Sequence, residues 1–522
     1  MYNSDSRTKN SVKNIIYTVG GQLCKEFLSF VVRTVFIRTL AVEYLGVNGL
    51  FTNILSFLSL AEMGVGSAII FSMYKPMAEH DESKLQMYMA VYKKVYTTIG
   101  IFVLVLGFTL TPFLNFFMKE RPDIPHLELI YILYVLNTGV TYFFAYKGSI
   151  FNADQRAYVV TNNTTIFNII QSVVRIVVLL TTHNFIAYLS LSIVVVYLQN
   201  FNIARKANRT YPFIKENSEE KLPKEETKQL KKNISALMMH KIGSVILNSS
   251  DNLIISKFVG VLSVGVYSNY SLITNAIKST FDMVMGAIGT SVGNLCAKED
   301  KDKVYQVHNA ILLLNIWIGA FCVICLFNLL NPFITIWLGK DYLFPLSTVL
   351  AIVISFYIQV TMRTGEMFKS ASGLFWNDRY APIAQCLINI IVSIVLAKKY
   401  DITGIFIGTS VAMLFTKWWI TPYVLFKYKF QMPLKKYFIP YGKFTGVGFI
   451  AFMITTICTN FIHSSLIVSF MGKMIICILL PNIIFILCFF KTKEFQYCLS
   501  LVARGPLKKY ISKLQKQGDV GK

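Results

Sequence analysis

Fourteen apolar segments, most of them about 17 to 25 residues long, follow one another along the chain. Segments of this length and composition cross a bilayer as helices. Because 54% of the 522 residues are hydrophobic and only 15% are charged, the composition excludes a soluble globular domain. The expected spans lie near 14–37, 45–71, 95–118, 127–146, 159–181, 184–203, 233–256, 263–294, 305–330, 346–367, 382–397, 402–423, 444–462 and 465–490.

The basic residues are distributed unevenly between the connections. About 36 of the 51 lysines and arginines fall on one side of the predicted membrane, and about 7 on the other. The positive-inside rule then places both termini and the long linker 204–232 in the cytoplasm. The net charge of +24 is therefore mainly an orientation signal. Contact with anionic lipid headgroups accounts for it better than a nucleic-acid partner does, so no nucleic acid is expected.

The two halves of the chain resemble each other. A shift of 219 positions places Lys13–Ile15 on Lys232–Ile234, Gly46 on Gly265, and Lys84 on Lys303. Such order-preserving matches favour a parallel duplication of the kind that transporters use. We expect an all-α polytopic membrane protein with two pseudo-symmetric six-helix lobes and two further helices. The predicted boundaries are 1–203 and 233–426 for the lobes, 204–232 for the linker, 427–490 for helices 13 and 14, and 491–522 for a basic cytoplasmic tail.

Several predicted spans carry a polar stripe. In the first span, Gln22, Lys25, Glu26 and Arg33 fall within one arc of about 100°. Stripes on both halves predict a hydrated cavity, because intramembrane charges normally face protein or water. The expected cavity-lining residues are Lys25, Arg33, Arg175, Lys278, Gln22, Asn48, Asn248, Asn275 and Arg363. Glu26, Asp251 and Asp282 are candidates for neutralising these bases or for carrying a coupling ion.

Structural explanations for the same residues stay open. Polar side chains in spans often only hold helices together, and the charged ones could simply pair. Arg363 and Glu366 could form an exposed ion pair near the cytoplasmic end of their span. Lys417 and Lys473 could extend to the headgroups.

The sequence contains no indication of catalysis or of a cofactor. It has no P-loop, no GxSxG motif and no carboxylate pair in a plausible context. The six histidines have no metal-ligand spacing, and the Cys322–Cys325 pair has no second pair beside it. No outer connection exceeds about 15 residues, which leaves no room outside for a folded catalytic domain. We therefore expect a protein that is not an enzyme and that binds no metal.

Two stretches carry a family resemblance. "YLGVNGLFTNILSFLSLAEMGVGSAIIFSMYKPMAEHD" at 44–81 and "GLFWNDRYAPIAQCLINIIVSIVLAKKYDITGIFIGTS" at 373–410 closely resemble bacterial Wzx-like polysaccharide-transport flippases. These belong to the multidrug/oligosaccharidyl-lipid/polysaccharide exporter superfamily. The resemblance extends over essentially the whole chain. It implies two six-helix bundles that open alternately to each side of the bacterial plasma membrane.

The resemblance also implies a cargo, a short glycan on a polyprenyl (di)phosphate, for capsule, O-antigen or cell-wall polysaccharide assembly. The implied partners are this cargo, membrane lipids, and the polysaccharide polymerase with its chain-length machinery. Basic, hydroxyl-rich faces suit phosphate and sugars. Two alternatives remain open. A cation-coupled multidrug exporter would favour an acidic cavity, and a membrane polysaccharide polymerase would need an outer or nucleotide-sugar domain.

Overall fold

The computed structural model describes residues 7–62, 64–215, 222–374 and 376–504. In this part of the chain, helices are joined by short connections and no β-strand occurs. The chain divides into two compact units, Met1–Ser268 and Asn269–Lys522. This division differs from the lobe boundaries expected near 203 and 233, which remain a prediction.

The first unit contains α1 to α9 and the beginning of α10. Short 3₁₀ segments follow α2, α4, α5 and α8, and a π-helical turn, Ile255–Val259, follows α9. The helices are α1 (Arg7–Thr39), α2 (Val42–Leu58), α3 (Val65–Ala78), α4 (Glu82–Leu110), α5 (Leu127–Phe144), α6 (Ser149–Ala153), α7 (Ala157–Thr182), α8 (Phe185–Thr210), α9 (Lys224–Ile254) and α10 (Val261–Lys298).

The second unit contains the rest of α10 and all later helices. The helix α14 has a kink at Tyr400 and Asp401, where the backbone φ of Asp401 is +49°. The helices are α11 (Lys301–Trp337), α12 (Leu346–Thr361), α13 (Arg363–Ala371), α14 (Ala381–Phe415), α15 (Lys417–Val424), α16 (Lys435–Asn460), α17 (Leu466–Phe489) and α18 (Lys493–Arg504).

Nine helical stretches of the described residues are long and apolar enough to cross a membrane. The prediction of an all-α polytopic membrane protein is therefore confirmed, but the count of fourteen spans is not. Four of the predicted spans are not among the nine. They are the spans in α1, in α9 and in α10, and the single predicted span that covers both α2 and α3. Helices α1 and α9 carry several charges, and α2 is separated from α3 by a break. In addition, one stretch, Ala381–Phe430, contains both predicted spans on either side of the kink.

Helix starts related by the shift of 219 have the same cap. Asp81 accepts a hydrogen bond from the Lys84 backbone N–H at the start of α4, at 3.0 Å. Asp300 does the same for Lys303 at the start of α11, at 2.9 Å. An aspartate at this position satisfies a backbone donor that the helix itself leaves unpaired. The weak sequence repeat thus corresponds to repeated local structure.

Two repeat-related glycines also occupy equivalent places, where the starts of α2 and α10 cross. A Cβ atom on Gly46 would lie 2.1 Å from the carbonyl oxygen of Val261. A Cβ atom on Gly265 would lie 2.8 Å from the carbonyl oxygen of Val42. Residues 42 and 261 are also related by the shift of 219. Gly46 therefore faces the Val261 carbonyl in the same way that Gly265 faces the Val42 carbonyl. Small residues allow this close backbone approach in membrane helices.

Candidate functional site

The charged stripe of α1 provides the first group of predicted site residues. Gln22 donates a hydrogen bond to the Glu26 carboxylate at 2.6 Å, and both side chains have further partners. Lys25 is exposed, and within the described structure no carboxylate lies within 4 Å of its ammonium group. Glu26 therefore does not neutralise Lys25.

Arg33 lies farther along α1 and binds a hydroxyl group. Its Nη1 donates to Ser268 Oγ at 2.8 Å, and Ser268 Oγ donates to the Gly265 carbonyl at 2.6 Å. Tyr134 and Tyr188 lie near the guanidinium group. Hydroxyl groups and aromatic rings thus surround the positive charge.

Arg175, on α7, has the same kind of surroundings. Its Nε donates to Ser192 Oγ at 2.9 Å, and Ser192 Oγ donates to the Tyr188 carbonyl at 2.7 Å. The guanidinium carbon lies 5.0 Å from the centre of the Tyr188 ring, which is a cation–π distance. Tyr134 interacts electrostatically with both Arg33 and Arg175.

Tyr134 is the residue around which three predicted site residues meet. Its hydroxyl donates to the Asn48 side-chain carbonyl. Arg33, Arg175 and Asn48 therefore belong to one site in the first unit, which we call the arginine site together with Tyr134, Tyr188, Ser192 and Ser268. Within the described residues, no carboxylate forms an ion pair with either arginine. A half-buried guanidinium group with only neutral partners favours an anionic ligand.

The second unit holds a different arrangement, a chain of five charged side chains. Asp282 lies 3.7 Å from Lys278 and 2.9 Å from Arg363. Glu366 lies 3.1 Å from Arg363 and 3.7 Å from Lys417. The three bases and two acids leave a formal charge of +1. We call this set the ion-pair chain.

The ion-pair chain joins residues for which the sequence predicted separate roles. Asp282 contacts Lys278 and Arg363, as a charge-balancing residue would. The Arg363–Glu366 pair exists, yet it is one link of a longer chain. Lys417 pairs with Glu366 and so has a protein partner as well as any contact with headgroups.

The remaining predicted residues are less informative. Asn275 is exposed on α10, one turn before Lys278. Asp251 interacts electrostatically with Tyr267, within the first unit. The side chain of Asn248 lies outside the described part of the structure. No group of three or more histidine, cysteine, aspartate or glutamate side chains that could hold a metal occurs in the described residues.

Sequence reasoning missed the neutral members of the arginine site. Tyr134, Tyr188, Ser192 and Ser268 look like ordinary span residues because none is charged. The sequence named Arg175 as a cavity-lining residue but not its partners on α8. Partners on other helices cannot be read from the periodicity of one helix.

A comparison with family models identifies the chain. A family described as "Polysaccharide biosynthesis protein" matches residues 11–289, which is more than half of the 522 residues. The chain belongs to this family. No curated protein sequence gives a significant match.

Three solved structures that share this fold are a flippase and two transporters. A lipid II flippase MurJ in an inward closed conformation has a TM-score of 0.65 at 15% identity, covering 92% of this chain and 99% of that one. An inward-facing multidrug resistance MATE family transporter has a TM-score of 0.59 at 12% identity, covering 76% and 94%. A mutant form of the Vibrio cholerae MATE transporter VcmN has a TM-score of 0.57 at 12% identity, covering 82% and 99%. At these identities the likeness establishes the fold alone.

Proposed function

We propose that this member of the polysaccharide biosynthesis family is a flippase for polyprenyl (di)phosphate-linked oligosaccharides. It moves the cargo from the cytoplasmic to the outer leaflet of the bacterial plasma membrane by alternating access, with both of its termini in the cytoplasm. The family, and a fold shared with a lipid II flippase, support this proposal. The observation that carries it is the arginine site, in which the described partners of Arg33 and Arg175 are all neutral.

The chemistry of the arginine site suits a phosphate group or an acidic sugar. A guanidinium–phosphate contact is charge-assisted and roughly twice as strong as a neutral hydrogen bond. The bonds of Arg33 to Ser268 and of Arg175 to Ser192 can therefore be exchanged for bonds to an anion with a net gain. The freed hydroxyl groups and the Asn48 amide can then bind sugar hydroxyls.

The ion-pair chain suits a later or accessory step in the transport of the cargo. Its bases already have carboxylate partners, so an anion must compete with Asp282 and Glu366. Such a site binds anions more weakly than the arginine site does. Binding of cargo with different affinity in inward- and outward-open states would shift the population between them, which drives the cycle.

The proposal is tested by replacing the arginines in a strain that lacks the chromosomal gene. We expect Arg33→Ala and Arg175→Ala to abolish surface polysaccharide at normal protein levels in the membrane. Arg38→Ala is the matched control, because Arg38 is exposed at the end of the same helix. Wild-type polysaccharide from both arginine variants would contradict the assignment of the arginine site.

The alternative function is a cation-coupled multidrug exporter, favoured by the fold likeness to MATE transporters. Such a protein would bind cationic drugs, which the arginine site and the net-positive ion-pair chain repel. A drug-susceptibility panel on the deletion strain separates the two. Changed resistance with intact surface polysaccharide would favour the exporter.

Polysaccharide polymerase and chain-length machinery are the proposed partners, because they consume the translocated unit. The lipid-linked glycan that accumulates in the deletion strain would identify the cargo.

A further inference from the structure

The loop between α13 and α14 has a defined conformation. Helix α13 ends at Ala371, and Gly373 then adopts a backbone φ of +71°, in the left-handed region that favours glycine. The Leu374 backbone N–H donates to the Lys369 carbonyl at 3.2 Å. The Lys369 ammonium group pairs with the carboxylate of Asp378, which is buried. Both ends of the loop are therefore fixed to α13.

The exposed side of this loop carries an arginine in contact with two aromatic rings. The guanidinium carbon of Arg379 lies 4.1 Å from the centre of the Trp376 ring and 4.6 Å from the centre of the Tyr380 ring, both cation–π distances. Arg379 Nη1 also donates to the Trp376 carbonyl at 2.8 Å. The two aromatic residues are 74% and 64% exposed, and Arg379 is exposed as well. We call these three residues the loop platform.

The arginine of the loop platform has no carboxylate partner among the described residues. Its neighbour in the sequence, Asp378, is buried and pairs with Lys369 instead. One N–H group of the guanidinium is used by the Trp376 carbonyl, which leaves the other N–H groups to bind a ligand. A positive charge that aromatic rings hold in place, without a carboxylate to balance it, favours an anionic ligand.

The corresponding loop of the first half holds its arginine differently. The sequence "NADQRAYV" at 152–159 is the first-half counterpart of "WNDRYAPI" at 376–383. Arg156 lies 3.7 Å from the carboxylate of Asp154, and only 24% and 23% of these two side chains are exposed. Asp154 also accepts a hydrogen bond from the Tyr211 hydroxyl. The arginine thus belongs to the protein's own packing in the first half, whereas in the second half it is presented outward.

The loop platform lies at the end of an apolar stripe. Tyr380 directly precedes α14, which begins the membrane-spanning stretch Ala381–Phe430. Exposed apolar side chains follow at intervals of three or four residues on one face of the helix. They are Ile383, Leu387, Ile391 and Val395. Since such a face contacts lipid, and tryptophan and tyrosine concentrate where acyl chains meet headgroups, the position of the platform favours a lipid headgroup as its ligand.

We propose that the loop platform binds the phosphate group of an anionic phospholipid. Arg379 binds the phosphate through charge-assisted hydrogen bonds, while Trp376 and Tyr380 lie at the level of the headgroups. A phosphatidylcholine headgroup is disfavoured, because its ammonium group would lie close to a guanidinium that no described carboxylate balances. In the proposed orientation this site faces the cytoplasmic leaflet. The inference goes beyond transport of the cargo, because it concerns a lipid of the surrounding membrane.

The test uses the fluorescence of Trp376 in the purified full-length protein, reconstituted into vesicles. The vesicles always contain equal amounts of phosphatidylglycerol and phosphatidylcholine, and quenching bromine atoms are placed on the acyl chains of one lipid or of the other. Trp376 is one of five tryptophans, so its signal is the difference between each protein and the same protein carrying Trp376→Phe. One basic residue at the surface enriches an anionic lipid about fivefold, so we expect brominated phosphatidylglycerol to quench Trp376 more strongly by a similar factor.

Arg379→Gln removes the charge of the loop platform, and we expect both brominated lipids to quench Trp376 equally in this variant. Arg205→Gln is the matched control, because Arg205 is an exposed arginine of α8 without a described aromatic partner. This control should keep the preference for phosphatidylglycerol. Arg379→Lys should keep part of the preference, since it retains the charge but loses the planar fork of the guanidinium.

Equal quenching by the two lipids in the wild type, or quenching by neither, would overturn the proposal. A preference that survives in Arg379→Gln, or one that is lost equally in Arg205→Gln, would overturn the role of the platform. Relief of quenching by a small amount of polyprenyl diphosphate would show that the ligand is the cargo headgroup and not a phospholipid. The wild-type comparison requires neither a variant nor transport activity, so its result is independent of the proposed flippase function.

Discussion

The carbonyl oxygen of Val261 lies 2.1 Å from the position that a Cβ atom on Gly46 would take. Its repeat-related counterpart, Gly265 against the carbonyl of Val42, is more open at 2.8 Å. In both cases the neighbouring atom belongs to the backbone, so a side chain cannot be accommodated by a rotamer change. The crossing of α2 and α10 thus requires glycine on both helices.

This crossing predicts a graded series of alanine variants. Gly46→Ala should be the most destabilising, by about 1–3 kcal/mol as is typical of overpacking, and Gly265→Ala less so. Gly20→Ala should be neutral or stabilising, because nothing lies within 4 Å of a Cβ atom there and alanine favours a helix. Melting temperatures of the purified variants measure the order. Equal melting temperatures for Gly46→Ala and Gly20→Ala would show that the helices do not approach closely.

Arg363 is the central residue of the ion-pair chain, and we expect it to contribute most to thermal stability. Arg363→Ala removes a partner from both Asp282 and Glu366, whereas Lys417→Ala leaves Glu366 paired with Arg363. We expect a larger loss of thermal stability for Arg363→Ala. Adding Asp282→Asn and Glu366→Gln to Arg363→Ala should recover none of the loss, because it leaves Lys278 and Lys417 without their carboxylate partners. Full recovery of stability would mean that these ion pairs contribute little.

The arginine site predicts that charge alone is insufficient. Arg33→Lys and Arg175→Lys keep the positive charge but lose the planar fork that binds phosphate through two hydrogen bonds. We expect surface polysaccharide from each lysine variant to fall between that of the wild type and that of the alanine variant. Quantitative immunoblotting of cell-surface polysaccharide measures this order. Full output from both lysine variants would indicate a purely electrostatic role.

The sequence predicted the features that depend on local pattern. Hydropathy identified all nine of the described stretches that are long and apolar enough to cross a membrane. One predicted apolar run ends before Lys398 and the next begins at 402, so the sequence also indicated the two helices on either side of the kink at Tyr400 and Asp401. The spacing of 219 identified both crossing glycines. Each of these features can be predicted from a single segment of the sequence or from the alignment of its two halves.

The sequence could not predict which polar side chains meet. Arg33 and Ser268 are separated by 235 positions, and their contact depends on how α1 packs against the start of α10. The interruption between α2 and α3 could not be predicted for a related reason. The apolar run 45–71 looks continuous, so the 3₁₀ segment Ser59–Glu62 that interrupts it is not evident from it.

The central claim is that the arginine site binds the anionic headgroup of the cargo. The most direct measurement is the affinity of the purified full-length protein for polyprenyl diphosphate, compared with uncharged polyprenol. Each guanidinium–phosphate contact is worth about 1.5–3 kcal/mol, so Arg33→Ala and Arg175→Ala should each weaken diphosphate binding by about tenfold or more. Binding of polyprenol should be unchanged. Equal diphosphate affinity of the wild type and of the double variant would contradict the account.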